Sequence, residues 1–76
     1  MSTIEEAEIL VEFAKHVPTD QVAGMVSGIA AYGNVDSAPD GFNFTVRVFR
    51  TSKLPRLKMQ LLDWERYGFL RWKQHV

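Results

Sequence analysis

The residues in this sequence that are best suited to chemistry are cations and aromatic rings, and both are concentrated in its second half. Residues 41–76 carry eight of the nine lysines and arginines, seven of the nine aromatic side chains and only two of the nine acidic residues. Cations that neutralise phosphates release condensed counterions, and aromatic rings stack on nucleic-acid bases. This combination favours contact with DNA, and it predicts a small regulatory protein of the kind that acts in transcription.

Six basic side chains are candidates for contact with the DNA backbone: Arg47, Arg50, Arg56, Lys58, Arg71 and Lys73. Trp72 lies between Arg71 and Lys73, so it is the candidate for base stacking or for anchoring a protein interface. For each cation the alternative is an ordinary solubilising surface position.

The first half of the chain has the opposite charge, with seven acidic residues in residues 1–40 against the single cation Lys15. The DNA hypothesis expects the second-half cations to gather on one surface turned away from these acids. The alternative is that the two halves attract each other and stabilise one compact fold. Because the total charge is zero, a second function stays open. It is a protein-binding inhibitor or adaptor, for example one encoded by a mobile element, with no nucleic-acid contact.

Several function classes are disfavoured by what the sequence lacks. There is no cysteine, so disulfides, thiolate metal sites and a cysteine nucleophile are excluded. No serine sits in a recognisable nucleophile motif, and His16 and His75 are too few for a metal site, so we expect no enzyme, metal or cofactor. The acidic start and the lack of a long apolar run predict a cytosolic protein without a membrane span.

A length of 76 residues predicts a single domain. The opening segment 2–6 fits a capping box, and the apolar residues after it predict a helix that ends at Pro18. A second helix is predicted over 20–32, which makes 1–32 an acidic helical pair. Gly24 and Gly28 in that helix predict close approach to another helix, in this chain or in a second copy, so a homodimer is possible.

Turn-forming residues predict a loop over 33–41, and the alternation that follows predicts a strand over 42–49. A third helix is predicted from Pro55 to Tyr67, with Gly68 as its C-cap and a short strand over 69–73. Residues 42–76 therefore form a basic, aromatic β-α-β half. The predicted fold is a small α+β domain of order ααβαβ, in which two N-terminal helices pack with a short sheet and a third helix.

Two short stretches resemble DNA-binding families. Leu57, Leu61 and Trp64, followed by Gly68 and the run 69–72, resemble the recognition helix and first wing strand of winged helix-turn-helix proteins. That resemblance implies a winged-helix-like C-terminal half. The segment 45–48, Thr-Val-Arg-Val, followed by a helix, is similar to the opening of a ribbon-helix-helix unit, whose paired strands enter the major groove of DNA.

Overall fold

The computed structural model describes residues 7–48 and 50–75. This part of the chain contains two helices and four strands. In chain order the elements are β1 (Ala7–Phe13), α1 (Thr19–Ala30), β2 (Asn34–Ser37), β3 (Asn43–Val48), α2 (Leu54–Arg66) and β4 (Leu70–His75), and a 3₁₀ turn (Thr51–Lys53) leads into α2.

The four strands form one antiparallel sheet in the order β2-β3-β1-β4. The strand β1 is central, since it pairs with β3 on one side and with β4 on the other. An order β-α-β-β-α-β along the chain, with this sheet, is the split β-α-β or ferredoxin-like arrangement. The prediction of an α+β domain is therefore confirmed, but the predicted order ααβαβ with three helices is wrong.

The first predicted helix is the largest error, because residues 7–13 form the central strand β1. Its odd-numbered residues from Ala7 to Phe13 are buried, while Glu8, Leu10 and Glu12 lie on the opposite face. That is a period of two, which is typical of a strand with one buried face. The helical interpretation relied on a broad apolar spread over the helix wheel and on the capping-box segment 2–6, which lies outside the described residues.

Other predictions for the first half need correction too. The acidic helical pair over 1–32 is replaced by one strand and one helix, and the predicted loop 33–41 contains β2. This short strand was missed because its turn-forming residues gain their ladder hydrogen bonds only from β3, which follows it in the chain.

The second half is closer to expectation. The structure confirms a strand, a helix and a strand, namely β3, α2 and β4, and Gly68 after α2 has the positive φ of a C-cap glycine (78°). The winged-helix-like half is wrong, because in the described part of the chain the elements directly before α2 are β2, β3 and the 3₁₀ turn, where a helix-turn-helix would have its first helix. The buried leucines of α2, Leu57 and Leu61, instead pack this helix against the sheet.

The hydrophobic core lies between the two helices and one face of the sheet. The face of β1 that carries Ile9 and Val11 packs with Ile29 of α1 and Leu57 of α2, and all four side chains are almost fully buried. The rings of Phe13 and Phe44 pack edge to face, with centroids 5.5 Å apart. Both helices therefore cover the same side of the sheet, and the other side is left uncovered by any described element.

Within one copy of the described chain, the glycines of α1 do not bring two helix backbones together, and close approach to a second copy stays a prediction. A Cβ at Gly24 would meet no atom within 4 Å, and one at Gly28 would meet only the Trp64 ring at 3.9 Å. Gly33, just before β2, is the position where close approach of the backbone requires a glycine. A Cβ there would lie 2.0 Å from the Arg47 carbonyl oxygen.

Among the described helices, none combines the length and the apolar character that crossing a membrane would require.

Candidate binding face

The uncovered side of the sheet, here called the open face, is built from alternate residues of all four strands. Since side chains alternate across a strand, the strand registers determine which residues share this face. Its members are Glu8, Leu10 and Glu12 of β1, Asn34 and Asp36 of β2, Asn43, Thr45 and Arg47 of β3, and Arg71, Lys73 and His75 of β4.

Charge on the open face changes sign from each strand to the next. The edge strand β2 contributes the acid Asp36, and its neighbour β3 contributes the cation Arg47. The central β1 contributes Glu8 and Glu12, and the far strand β4 contributes its basic residues. The formal charges on the face cancel when the histidine is neutral. Opposite charges placed across neighbouring strands stabilise a sheet, whereas like charges destabilise it.

Three ion contacts join these stripes. Arg71 Nη2 donates a hydrogen bond to Glu12 Oε1 at 3.1 Å. Arg47 Nε lies 3.7 Å from Glu8 Oε2, and His75 Nδ1 lies 3.7 Å from the other oxygen of Glu8. Each contact links the acidic first half of the chain to its basic second half. That this attraction stabilises the compact fold stays a prediction.

A recess of about 470 Å³ lies in the middle of the open face. Leu10 lines it and is 39% exposed, because no described element covers this side of the sheet. Thr45, Lys73 and the Glu12–Arg71 pair line it as well. The recess therefore combines an apolar side chain with charges of both signs, which is suited to an apolar side chain of a partner that has polar neighbours.

The turn between β2 and β3 borders the recess and is held by Asp40. One carboxylate oxygen of Asp40 accepts hydrogen bonds from the backbone N–H groups of Phe42 (2.9 Å) and Asn43 (3.0 Å), and the other contacts the Asn43 amide. These bonds favour the ionised form and hold the pKa of Asp40 below its ordinary value of 3.8. This turn places both Ala38 and Asn43 in the lining of the recess.

The six basic residues predicted to bind DNA belong to several elements: β3, β4, the segment after β3, and α2. Arg47, Arg71 and Lys73 are on the open face, where glutamates stand beside the two arginines. Arg50 lies after β3 and, together with Lys53, lines a smaller recess of about 240 Å³. Arg56 and Lys58 belong to α2. The structure therefore does not gather these cations into one surface turned away from the acids.

Trp72 lies on the other side of β4 from Arg71 and Lys73 and is half-buried against the helix-facing core. Its indole nitrogen Nε1 is buried and has no hydrogen-bond acceptor among the described residues. A stacking or anchoring role for Trp72 stays a prediction, and any such contact would be made from the helix side of the sheet edge.

Sequence reasoning missed Glu8, Leu10 and Glu12 as members of a site, because it placed them on a helix. The signal was available in the alternation of residues 7–13, which puts these three side chains on one face of a strand. Their pairing with Arg47, Lys73 and Arg71 could not be derived, since it depends on which strands become neighbours.

The described residues contain no group of three or more histidine or acidic side chains placed to hold a metal ion. No protein-family description matches this sequence. No curated protein shows significant similarity to it either. The fold alone does not identify a function, because one fold hosts many functions.

Proposed function

We propose that this chain is a small cytosolic protein-binding domain without enzymatic activity, which contacts its partner through the open face of the sheet. The observation that carries this proposal is the recess at Leu10, lined by an apolar side chain and flanked by charges of both signs. Such a surface supports an inhibitor or adaptor role, because binding there needs no chemistry from the domain.

The charge arrangement favours a protein over a polyanion. A nucleic acid presents negative phosphates along its whole length, and these would be repelled by Glu8 and Glu12 in the central strand. Both glutamates already contact the cations beside them. A protein surface can present both signs in a complementary pattern, which improves specificity and association rate.

The apolar centre supplies the second part of the argument. Interfaces commonly depend on a few central side chains that become fully desolvated, while the charged rim sets specificity. Leu10 is in that central position, with Lys73 opposite it on β4. We therefore expect the partner to insert an apolar side chain into the recess.

The test compares two leucines of nearly equal exposure. Leu10 is 39% exposed on the open face, and Leu62 is 40% exposed on α2. The wild-type protein, Leu10→Gln and Leu62→Gln are each immobilised and exposed to an extract of the native host. A retained protein is then purified, and its Kd is measured for all three forms. We expect Leu10→Gln to weaken binding by about tenfold or more, corresponding to at least 1.4 kcal/mol, and Leu62→Gln to leave it unchanged.

DNA binding stays a prediction, and a salt titration with duplex DNA tests it on the same three forms. Binding that weakens steeply between about 50 and about 200 mM salt would support the DNA hypothesis. A purified partner that binds Leu10→Gln as tightly as the wild type would contradict the proposed face.

A further inference from the structure

The strand β4 is an outer strand of the sheet, paired on one side only. Its residues Leu70–His75 are matched along β1, from Leu70 opposite Phe13 to His75 opposite Glu8. On its other side no described strand pairs with it. Such an edge presents backbone N–H and C=O groups that can hydrogen-bond to an added extended segment.

The charge pattern of the open face indicates what kind of segment would fit. From β2 to β4 the strands are negative, positive, negative and positive, and both Arg–Glu contacts across them join opposite signs. A fifth strand beside β4 would face Arg71, Lys73 and His75, all basic. Because like charges directly across a sheet are destabilising, the favourable neighbour is acidic.

We infer that the β4 edge binds an extended acidic segment of a partner protein as a fifth strand. Its acidic side chains, at every second position, lie on the open face beside Arg71, Lys73 and His75. This inference rests on the proposed protein-binding function and names the chemistry of the partner. Lys73 is the central member of this cationic row, and its 82%-exposed neighbour Arg71 extends well into solvent.

The residues between these cations specify the other face of the added strand. Leu70, Trp72 and Gln74 point to the helix side of β4, where Trp72 is half-buried against the core. Alternate side chains of the partner would lie beside Trp72, so apolar residues are favoured there. The expected partner motif alternates acidic and apolar residues.

A second copy of this chain fits the edge poorly. Two β4 edges would place cations against cations, which is one way in which natural sheets avoid edge-to-edge association. The opposite edge, β2, is only four residues long and carries the single acid Asp36 on the open face. A nucleic acid fits poorly as well, because it has no peptide backbone to continue the ladder.

The probe is a capped peptide of about eight residues in which glutamate and valine alternate. Two control peptides accompany it: one with lysine in place of each glutamate, and one of the same composition with its glutamates consecutive. Binding is measured by calorimetry at about 50 and about 200 mM salt, and the bound site is located by amide shifts and amide exchange in NMR spectra. We expect binding of the alternating acidic peptide alone, with slowed exchange in β4.

The variant test reverses one charge on the edge strand β4, at Lys73, and one charge outside the sheet, at Lys53. Lys73 takes part in neither the Glu12–Arg71 nor the Glu8–His75 contact, so Lys73→Glu removes neither partner of these contacts. Lys53→Glu changes the same charge in the 3₁₀ turn before α2. We expect Lys73→Glu to weaken peptide binding about tenfold and Lys53→Glu to weaken it less than twofold.

The outcomes separate this inference from the proposed function. Equal binding of the lysine peptide, equal binding of the peptide with consecutive glutamates, or shifts confined to the helices would overturn the inference. So would self-association of the protein through β4, seen as a dimer in light scattering that Lys73→Glu abolishes. If the peptide fails while a purified partner still depends on Leu10, the inference fails and the proposed function stands.

Discussion

Arg71, on the outer strand β4, donates a 3.1 Å hydrogen bond to Glu12 on the central strand β1, 59 positions earlier in the chain. The contact crosses the open face and links the two oppositely charged halves of the sequence. The Arg71 side chain is 82% exposed and the Glu12 side chain is 51% exposed, so water and salt screen their contact strongly. The pair therefore defines the charge pattern of the face more than it stabilises the fold.

A double-mutant cycle measures how much the Glu12–Arg71 pair contributes to the stability of the fold. Glu12→Gln, Arg71→Gln and the double variant are unfolded with urea, and the coupling between the two sites is extracted. We expect a coupling of about 0.2–1 kcal/mol that falls as salt is added, because the pair is exposed. A coupling above about 2 kcal/mol would show that the pair is shielded from solvent and would contradict this description.

Asp40 makes stability depend on pH. Its pKa is lowered in the folded protein by hydrogen bonds from Asn43 and Phe42, so the ionised form stabilises the folded state. The stabilisation is present above the ordinary pKa of 3.8 and is lost as the pH falls through the lower folded value. We expect Asp40→Ala to lower the urea midpoint at pH 7 and to differ less from the wild type as the pH approaches about 2.

The control for this prediction is Asp63→Ala, which removes an exposed acid from α2. Asp63 lies outside the β2–β3 turn, so we expect no comparable loss at pH 7. A gap between wild type and Asp40→Ala that stays constant from pH 7 to about pH 2 would contradict the role assigned to the Asp40 carboxylate.

Two glycines are expected to respond in opposite ways to alanine. Gly33→Ala places a methyl group against the Arg47 carbonyl, with no space for it, so we expect a loss of about 1–3 kcal/mol or more. Gly24→Ala, in the interior of α1 and surrounded by open space, should stabilise the protein by about 0.5–1 kcal/mol. Thermal and urea unfolding measure both. A gain in stability for Gly33→Ala with a loss for Gly24→Ala, or equal effects of the two substitutions, would show that the backbone at Gly33 is not closely approached.

Adjacent leucines of α2 test the placement of the core. Leu61 is fully buried and Leu62 is 40% exposed. Leu61→Ala should destabilise the fold by about 2–5 kcal/mol, since it leaves a cavity between helix and sheet. Leu62→Ala should change stability by less than about 1 kcal/mol. Comparable losses at the two positions would mean that α2 is rotated on the sheet.

Local patterns predicted the second half of the fold better than the first. Pro55 at the start of α2 and Gly68 at its end are strong boundaries, and the alternation before them predicted β3. In residues 7–13 the apolar residues fit both a broad helical face and a strand, so their spacing alone does not decide between the two. Burial on one face of a sheet settled the ambiguity, because only the strand hides every odd-numbered side chain from Ala7 to Phe13.

The candidate site was only partly accessible from sequence. The basic residues of β4 were identified as functional candidates, but Leu10 and its flanking glutamates were not. Arg47 and Arg71 were expected in one positive surface, and they lie instead beside Glu8 and Glu12. A linear sequence shows the sign of each charge, but it does not show which strands lie side by side.

The amino-acid sequence by itself determined the charge of each half, the boundaries of α2 and the mixed α+β composition, because these depend on residue type and short-range spacing. Only the tertiary structure decided that β1 lies between β3 and β4, which turns two separate charge blocks into alternating stripes on one face. The physical reason is that strand pairing joins residues far apart in the chain. Its energy comes from backbone ladders and a shared buried face, which no local pattern records.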